Sequence, residues 1–122
     1  YYRSVVEKMG AERTATFLRL YMAPGVQHCG GGAGPNVFGQ GGVPQADPRH
    51  DMAAALERWV EEGIPPEEII ATRYQNGADA SSGVLRTRPL CPYPQVARWK
   101  GSGSTDEAAN FTCAAPEPAG RR

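Results

Sequence analysis

The residues best suited to chemistry in this chain are His28 and Cys29, which are adjacent in a glycine-rich segment at residues 24–32. Histidine is the side chain that most often serves as a general base near neutral pH. Here a thiol follows it at the very next position. This dipeptide is therefore the candidate functional centre, and the segments on either side of it must position it.

The segment before His28 has the pattern of a helix followed by a strand. A helix is predicted over residues 2–9, because Val5, Val6 and Met9 share one face and Gly10 stands where a helix ends. A strand packed by helices on both faces is predicted over residues 17–22, before a turn at residues 23–25. His28 then lies in a Gly/Pro loop, residues 25–46, which is longer than most structural connections and therefore typical of functional loops.

A second helix and a hairpin are predicted after this loop. Asp47 is the predicted N-cap and Pro48 the first helical residue, with an apolar face formed by Met52, Leu56, Trp59 and Val60. Strands are predicted at residues 69–74 and 84–88, joined by a turn at residues 76–77. Residues 104–107 resemble a capping box, and residues 114–122 are expected to form a disordered tail.

Length and composition bound what the chain can be. Its 122 residues are one domain at most, and 15 Gly and 11 Pro indicate a loop-rich structure. Thirteen basic and 13 acidic side chains cancel, so no global field recruits nucleic acid or an anionic membrane. No apolar run approaches the roughly 20 residues that a membrane helix needs. Because the chain begins at Tyr1 rather than Met, we expect a segment that has lost its N-terminus.

Three cysteines leave one without a partner inside the chain. The segment between Cys91 and Cys113 is rich in Pro, Gly and Ser, which suits a disulfide across a loosely packed loop in an oxidising compartment. Cys29 is then the unpaired thiol. Three buried free thiols in a cytosolic protein are the alternative.

The order of helix, strand, functional loop and helix predicts the closing section of an α/β fold. In α/β-hydrolases the catalytic triad follows the order Ser, acid, His, and the His lies on the loop after the last main strand. His28 fits that position.

Two motif blocks are distinctive: residues 21–32, which contain the His-Cys pair, and residues 86–94, with further matches at residues 100–104 and 110–113. Together they resemble the tannase and feruloyl esterase family, which also includes hydrolases of mono(2-hydroxyethyl) terephthalate. The resemblance extends from residue 1 to residue 113, and it implies the C-terminal part of an α/β-hydrolase catalytic domain.

The resemblance also implies roles for single residues. His28 would be the catalytic base, and Cys29 would form a disulfide with a cysteine upstream of this chain, beside the nucleophilic serine. Cys91 and Cys113 would form a C-terminal disulfide. Members of the family are secreted or periplasmic esterases with a large lid, and they act on small esters of aromatic acids.

The rest of the catalytic machinery is expected outside this chain. The sequence contains no Gly-x-Ser-x-Gly pattern and no Cys-Ser pair, and Asp47 and Asp51 follow the base instead of preceding it. We therefore expect the nucleophile, the acid, the oxyanion hole and the calcium-carrying lid upstream, no metal or cofactor in this segment, and no activity of this segment alone.

Several of these residues allow other interpretations. His28, Cys29 and His50 match no ordinary zinc spacing, and His50 is expected in a structural role. Phe38 could form a wall for an aromatic acyl group or could simply pack within the loop. A basic stretch is expected to bond backbone carbonyls of the C-terminal segment instead of nucleic acid; it comprises Arg86, Arg88, Arg98 and Lys100.

Two alternatives remain, one for a single residue and one for the function of the whole chain. Asn110 begins a glycosylation acceptor pattern, which has meaning only in a eukaryotic secretory host. The competing function is a detached module, closed by the disulfide, that binds a partner or a glycan and has no chemistry of its own.

Overall fold

The computed structural model describes residues 1–40 and 47–117, and helices precede strands along this part of the chain. The end of the 25–46 loop and the last five residues of the predicted tail lie outside the described residues. In chain order the elements are α1 (Tyr2–Met9), α2 (Ala11–Ala15), α3 (Met52–Glu62), β1 (Ile69–Asn76), β2 (Asp79–Leu90), β3 (Val96–Trp99), a 3₁₀ turn (Ala108–Asn110) and β4 (Phe111–Ala114).

The first helix is confirmed at the predicted boundaries. Gly10 ends it with a φ of 85°, and its backbone N–H donates to the carbonyl of Val6. α1 packs against the segment after β2, where the rings of Tyr2 and Tyr93 meet edge to face with centroids 5.9 Å apart. Arg3 also donates from Nε to the Tyr93 hydroxyl at 3.0 Å.

The predicted strand at residues 17–22 is wrong for this structure. Only Tyr21 is paired, through an isolated bridge to Pro92, next to a 2.7 Å hydrogen bond from the Tyr93 N–H to the Leu20 carbonyl. A strand covered on both faces also needs neighbouring strands to satisfy its backbone groups. The described residues provide Tyr21 with this single bridge, and Phe17 and Met22 are exposed.

The second long helix begins later than the sequence predicts. Asp51, not Asp47, is the N-cap of α3, and its Oδ1 accepts from the backbone N–H groups of Ala53 and Ala54 at 2.9 and 3.1 Å. Asp47 and Pro48 lie in the preceding turn. The predicted apolar face is present but largely exposed within the described chain. Ala55 is buried, whereas Met52, Leu56 and Val60 are exposed.

The hairpin of β1 and β2 carries the core. The two strands are antiparallel, with Ile69 opposite Leu90 and Arg73 opposite Arg86. The predicted hairpin is confirmed, but both strands are longer than predicted and the turn falls at residues 77–78, one position after the predicted 76–77. Ile69, Ala71 and Leu90 form a buried cluster, against which three half-buried side chains pack: Tyr21, Ala23 and Phe38.

A second antiparallel hairpin, β3 with β4, forms the C-terminal part of the described chain. Ala114, placed by the sequence at the start of the tail, still pairs with Val96 in this sheet. The predicted capping box is not a helix start: the Ser104 hydroxyl accepts from the Asp106 N–H in a turn, and a short 3₁₀ turn follows Glu107.

The predicted roles of the basic stretch hold for two of its four residues. Arg98 donates to the Ala115 carbonyl at 2.8 Å, and Lys100 donates to the Ala109 carbonyl at 2.7 Å. Arg86 instead pairs with Asp106 at 2.6 Å, and the guanidinium of Arg88 stacks 3.8 Å above the centre of the Phe111 ring. All four basic side chains therefore bond to, or stack on, other residues of this chain.

None of the described helices is both long enough and apolar enough to cross a membrane.

Candidate functional site

His28 lies on a closed loop between Gly25 and Gly34. The loop ends are joined by a 3.0 Å hydrogen bond from the Gly34 N–H to the Gly25 carbonyl, and a 3.2 Å bond runs from the Gln27 N–H to the Gly31 carbonyl. The second of these bonds encloses His28 and Cys29 in a turn of five residues, from Gln27 to Gly31.

The glycines of this loop allow two backbone segments to approach each other. A Cβ on Gly32 would lie 2.1 Å from the Gly25 carbonyl oxygen, and a Cβ on Gly34 would lie 2.2 Å from the Pro24 carbonyl oxygen. Both distances are far below van der Waals contact. The loop can therefore close this tightly only with glycine at these positions. Glycine also gives the backbone more conformational freedom than other residues do.

The imidazole and the thiol lie side by side and both are exposed. Cys29 Sγ is 3.5 Å from His28 Nδ1 and 3.8 Å from Nε2. Cys29 has a φ of 65°, the left-handed region that non-glycine residues rarely adopt and that is concentrated at functional sites. Among the described residues Cys29 is the cysteine without a disulfide.

A small cavity of about 180 Å³ opens beside this dipeptide. It is bordered on one side by the His28 loop and on the other by the tip of the first hairpin, and its lining residues are Cys29, Gly30, Gly31, Asn36, Val37, Gln40, Gly77 and Ala78. The hairpin tip was not predicted as part of the site, because nothing in the sequence indicates that it folds back onto the loop.

Phe38 does not line this cavity. It packs against the buried cluster of Ile69, Ala71 and Leu90 instead, and its backbone N–H donates to Gln40 Oε1 at 2.8 Å. This contact agrees with the loop-packing alternative for Phe38.

A larger groove of about 990 Å³ lies away from His28. It runs between α1, α3 and the segment after β2, and its charged lining residues are Arg19, Arg49, Arg58, Glu67 and Glu68. Neither His28 nor Cys29 contributes to it. The groove and the candidate base are therefore separate features of the chain.

His50 is placed in a structural setting. It lies before α3 instead of in its first turn, and its Nδ1 is 3.0 Å from Asp47 Oδ1. The hydrogen bond from His50 is the main reason why the pKa of Asp47 lies below its ordinary value. Within residues 1–40 and 47–117 no three His, Cys, Asp or Glu side chains are grouped as metal ligands.

The predicted C-terminal disulfide is confirmed, since Cys91 and Cys113 are bonded. The side-chain nitrogen of Asn110 donates to the Ser104 carbonyl at 2.9 Å and to Glu107 Oε2 at 3.2 Å. An N-linked glycan would replace one of the two hydrogens on this nitrogen, so at least one of these two contacts would be lost.

Sequence reasoning missed the β1 residues that hold the loop. Arg73 Nη1 donates to the Gly32 carbonyl at 2.9 Å, across 41 positions of sequence. The neighbouring Thr72 exchanges backbone hydrogen bonds with Val37. No local pattern indicates such long-range contacts, because they depend on how the hairpin folds over the loop.

Comparison with known proteins places this geometry in a family. The family model for tannase and feruloyl esterase matches residues 1–114. An uncharacterized esterase of Xanthomonas campestris pv. campestris is 45% identical over 128 aligned residues, covering 93% of this chain and 22% of the relative. The mono(2-hydroxyethyl) terephthalate hydrolase of Piscinibacter sakaiensis is 45% identical over 113 residues, covering 90% of this chain and 16% of that enzyme.

Fungal relatives and solved structures agree. A probable feruloyl esterase B-2 of Aspergillus terreus is 38% identical, covering 89% of the chain and 21% of that protein. The crystal structure of an esterase from Aspergillus oryzae matches with a TM-score of 0.80 and 33% identity, covering 93% of this chain and 23% of the other. Feruloyl esterase B from the same organism matches with a TM-score of 0.81 and 28% identity, covering 93% and 22%.

The chain thus spans about a fifth of the length of the relatives that it matches. The fold of the described residues is that of the corresponding part of these esterases. Since the family model covers nearly the whole chain, the chain belongs to the tannase and feruloyl esterase family.

Proposed function

We propose that this chain is the C-terminal section of a serine carboxylic ester hydrolase with an α/β-hydrolase fold, and that His28 is its general base. The observation that carries the proposal is the placement of His28: its imidazole is exposed at the surface of a closed loop that is docked on the hairpin core. The names of the relatives, esterases and a terephthalate ester hydrolase, support the reaction class.

The proposed reaction follows the logic of a catalytic triad. The His28 imidazole takes the proton from a serine hydroxyl as the serine oxygen attacks the ester carbonyl. It then returns that proton to the leaving alcohol as the carbon–oxygen bond of the ester breaks. Water hydrolyses the acyl-enzyme in a second cycle of the same proton transfers, which releases the carboxylic acid.

The nucleophile and the triad acid are proposed to come from outside these residues. Within residues 1–40 and 47–117 the His28 imidazole contacts the thiol of Cys29, and no hydrogen bond joins it to a serine or a carboxylate. An exposed imidazole without such partners fits a base whose partners are provided by the remaining part of the protein.

Cys29 is proposed to anchor the base through a disulfide to a cysteine upstream of this chain. Its sulfur is exposed and unpaired among the described residues. A covalent bond at the residue after His28 would keep the imidazole within the roughly 2.6–3.2 Å of the serine hydroxyl that proton transfer requires. Two disulfides are compatible with a secreted or periplasmic location.

The proposed substrates are small esters of aromatic carboxylic acids. No cofactor is proposed for this segment, and a calcium ion is proposed in the lid outside it. Residues outside this chain would determine the choice among galloyl, feruloyl and terephthaloyl esters. Phe38 would contribute only through the packing of its loop, since the structure turns it toward the core.

The test compares the full-length protein with residues 1–122 alone. The full-length protein should hydrolyse at least one of methyl gallate, methyl ferulate and mono(2-hydroxyethyl) terephthalate, and a serine-directed phosphonate should abolish that turnover. Residues 1–122 alone should hydrolyse none of them above the rate in buffer. A full-length protein inactive on all three esters would favour the non-catalytic binding module. Phosphonate-sensitive turnover by residues 1–122 would contradict the proposed division of the triad.

A further inference from the structure

Arg73 reaches from β1 to the loop that carries His28. Its Nη1 donates to the carbonyl oxygen of Gly32 at 2.9 Å and also to the carbonyl oxygen of Ala33. Arg73 is absent from the ion pairs found among residues 1–40 and 47–117. Its guanidinium thus bonds the backbone of this loop.

The residue before Arg73 holds the next part of the same segment. Thr72 is buried, and its N–H donates to the Val37 carbonyl at 2.8 Å. Its own carbonyl accepts from the N–H groups of Asn36 and Val37 at 3.1 and 2.9 Å. Arg73 and Thr72, which are consecutive in β1, therefore hold residues 32–37 through hydrogen bonds. Thr72 is itself buried.

The position of Gly32 is transmitted to His28 by the hydrogen bonds of the loop. Gly31 precedes Gly32 and accepts from the Gln27 N–H, and Gln27 directly precedes His28. The close approach of Gly32 to Gly25 leaves no room for the two segments to slide toward each other. A shift of Gly32 away from Arg73 would therefore move the turn that presents the imidazole.

Arg86, which lies opposite Arg73 on β2, is a suitable control for substitutions of Arg73. The Nε of Arg86 bonds Asp106 in the C-terminal segment. Like charges directly opposite in a sheet repel each other, and the two guanidinium groups bond partners in different parts of the chain. Arg73 faces the His28 loop, whereas Arg86 faces the second hairpin.

We propose that Arg73 is a positioning residue for the His28 loop, which it holds through the carbonyls of Gly32 and Ala33. The proposal rests on the proposed function of His28 as general base. Arg73 is assigned no contact with substrate, and it acts on turnover only through the position of the imidazole. Such a role should lower kcat while leaving KM nearly unchanged, because substrate binding does not depend on it.

The experiment uses the full-length enzyme with Arg73→Met, Arg73→Lys and the matched control Arg86→Met. Because a misplacement of about 1 Å can cost up to about a hundredfold in rate, we expect Arg73→Met to lower kcat at least tenfold with KM within about twofold. Arg73→Lys should restore part of the loss, since an ammonium group can donate to the carbonyls but lacks the planar fork of arginine. Arg86→Met should keep kcat within about twofold.

Hydrogen exchange distinguishes positioning from general destabilisation. In Arg73→Met the amides of residues 27–34 should exchange faster, while those of β1 and β2 keep their protection. If Arg73→Met does not fold, the test rests on Arg73→Lys. The proposal then requires that Arg73→Lys has a lower kcat than the wild type and an unchanged melting temperature.

Two outcomes would overturn the role of Arg73. The first is a kcat for Arg73→Met equal to that of Arg86→Met, and the second is a loss of protection spread evenly over the whole chain. His28→Ala, assayed beside these variants, separates this proposal from the proposed function. An active His28→Ala variant refutes the base, whereas an inactive His28→Ala with a fully active Arg73→Met refutes only the positioning role.

Discussion

Cys91 and Cys113 join the two hairpins of the chain, with 5.5 Å between their Cα atoms. Cys91 directly follows β2, and Cys113 lies within β4. A second contact links β2 to the segment between β3 and β4, where the Thr87 N–H donates to the Asp106 carbonyl at 2.8 Å. The second hairpin is therefore attached to the first by this disulfide, by the bonds of Thr87 and Arg86 to Asp106, and by the stacking of Arg88 on Phe111.

Removal of this disulfide should destabilise the second hairpin most. Closing a loop of this length stabilises a protein by about 3 kcal/mol in the chain-entropy model, so the double variant Cys91→Ser/Cys113→Ser should lose about that much in denaturant unfolding. Hydrogen exchange should show faster exchange in β3 and β4, with β1 as the internal reference. An unchanged unfolding midpoint would contradict a stabilising role of the disulfide.

Two glycines of the His28 loop should differ in their response to the same substitution, because one is closely packed and the other is not. Gly32→Ala introduces a Cβ 2.1 Å from the Gly25 carbonyl at a φ of 95°, and a strained backbone of this kind costs about 1–3 kcal/mol. Gly30→Ala meets no atom within 4 Å and needs no positive φ, so it is the matched control. Thermal unfolding should show a lower melting temperature for Gly32→Ala only; equal melting temperatures would contradict the tight closure of the loop.

The anchor role of Cys29 can be separated from the base. Non-reducing peptide mapping of the full-length protein should find Cys29 linked to a cysteine outside these 122 residues. Cys29→Ser should lower the melting temperature and reduce turnover only in part, because the imidazole is still present but less well positioned. A Cys29 bonded to Cys91 or Cys113 in the mapped protein would contradict both the confirmed pair and the proposed anchor.

Asp47 predicts a pH dependence of stability with a definite sign. The hydrogen bond from His50 lowers the pKa of Asp47, so the stabilisation is present above the ordinary carboxyl pKa of about 4. It is lost as the pH falls through the lower pKa of the folded state. Asp47→Asn should therefore be less stable than the wild type at pH 7, and this difference should shrink as the pH falls below about 4. Because surface pairs contribute about 0–1 kcal/mol, the difference should be small, and a difference in melting temperature that stays constant over this fall in pH would contradict the prediction.

Local signals predicted the elements that depend on neighbouring residues. Gly10 ends α1 and Gly77 forms the hairpin turn because both positions have a positive φ, of 85° and 60°, which glycine adopts without strain. The Cys91–Cys113 pair also followed from composition and resemblance. These features need few contacts from the rest of the fold.

Tertiary contacts decided the features that the sequence did not predict. Asp47 and Asp51 are both good N-caps, but the Met52 N–H donates to the Phe38 carbonyl at 2.9 Å, and Asp51 is buried against Gly39. These contacts fix the later start of α3. The hold of Arg73 on the His28 loop depends in the same way on partners about 40 positions distant in sequence.

The most direct test of the account compares the two histidines of the chain in the full-length enzyme. His28→Ala removes the proposed base, whereas His50→Ala removes an imidazole that bonds Asp47 in the turn before α3. Because triad members act as a unit, turnover of an aromatic ester by His28→Ala should fall by more than about a thousandfold, with a melting temperature close to that of the wild type. His50→Ala should keep turnover within about twofold. If His28→Ala retains more than about a tenth of the wild-type turnover, where loss of a triad member should cost far more, His28 is not the base and the account fails at its central residue.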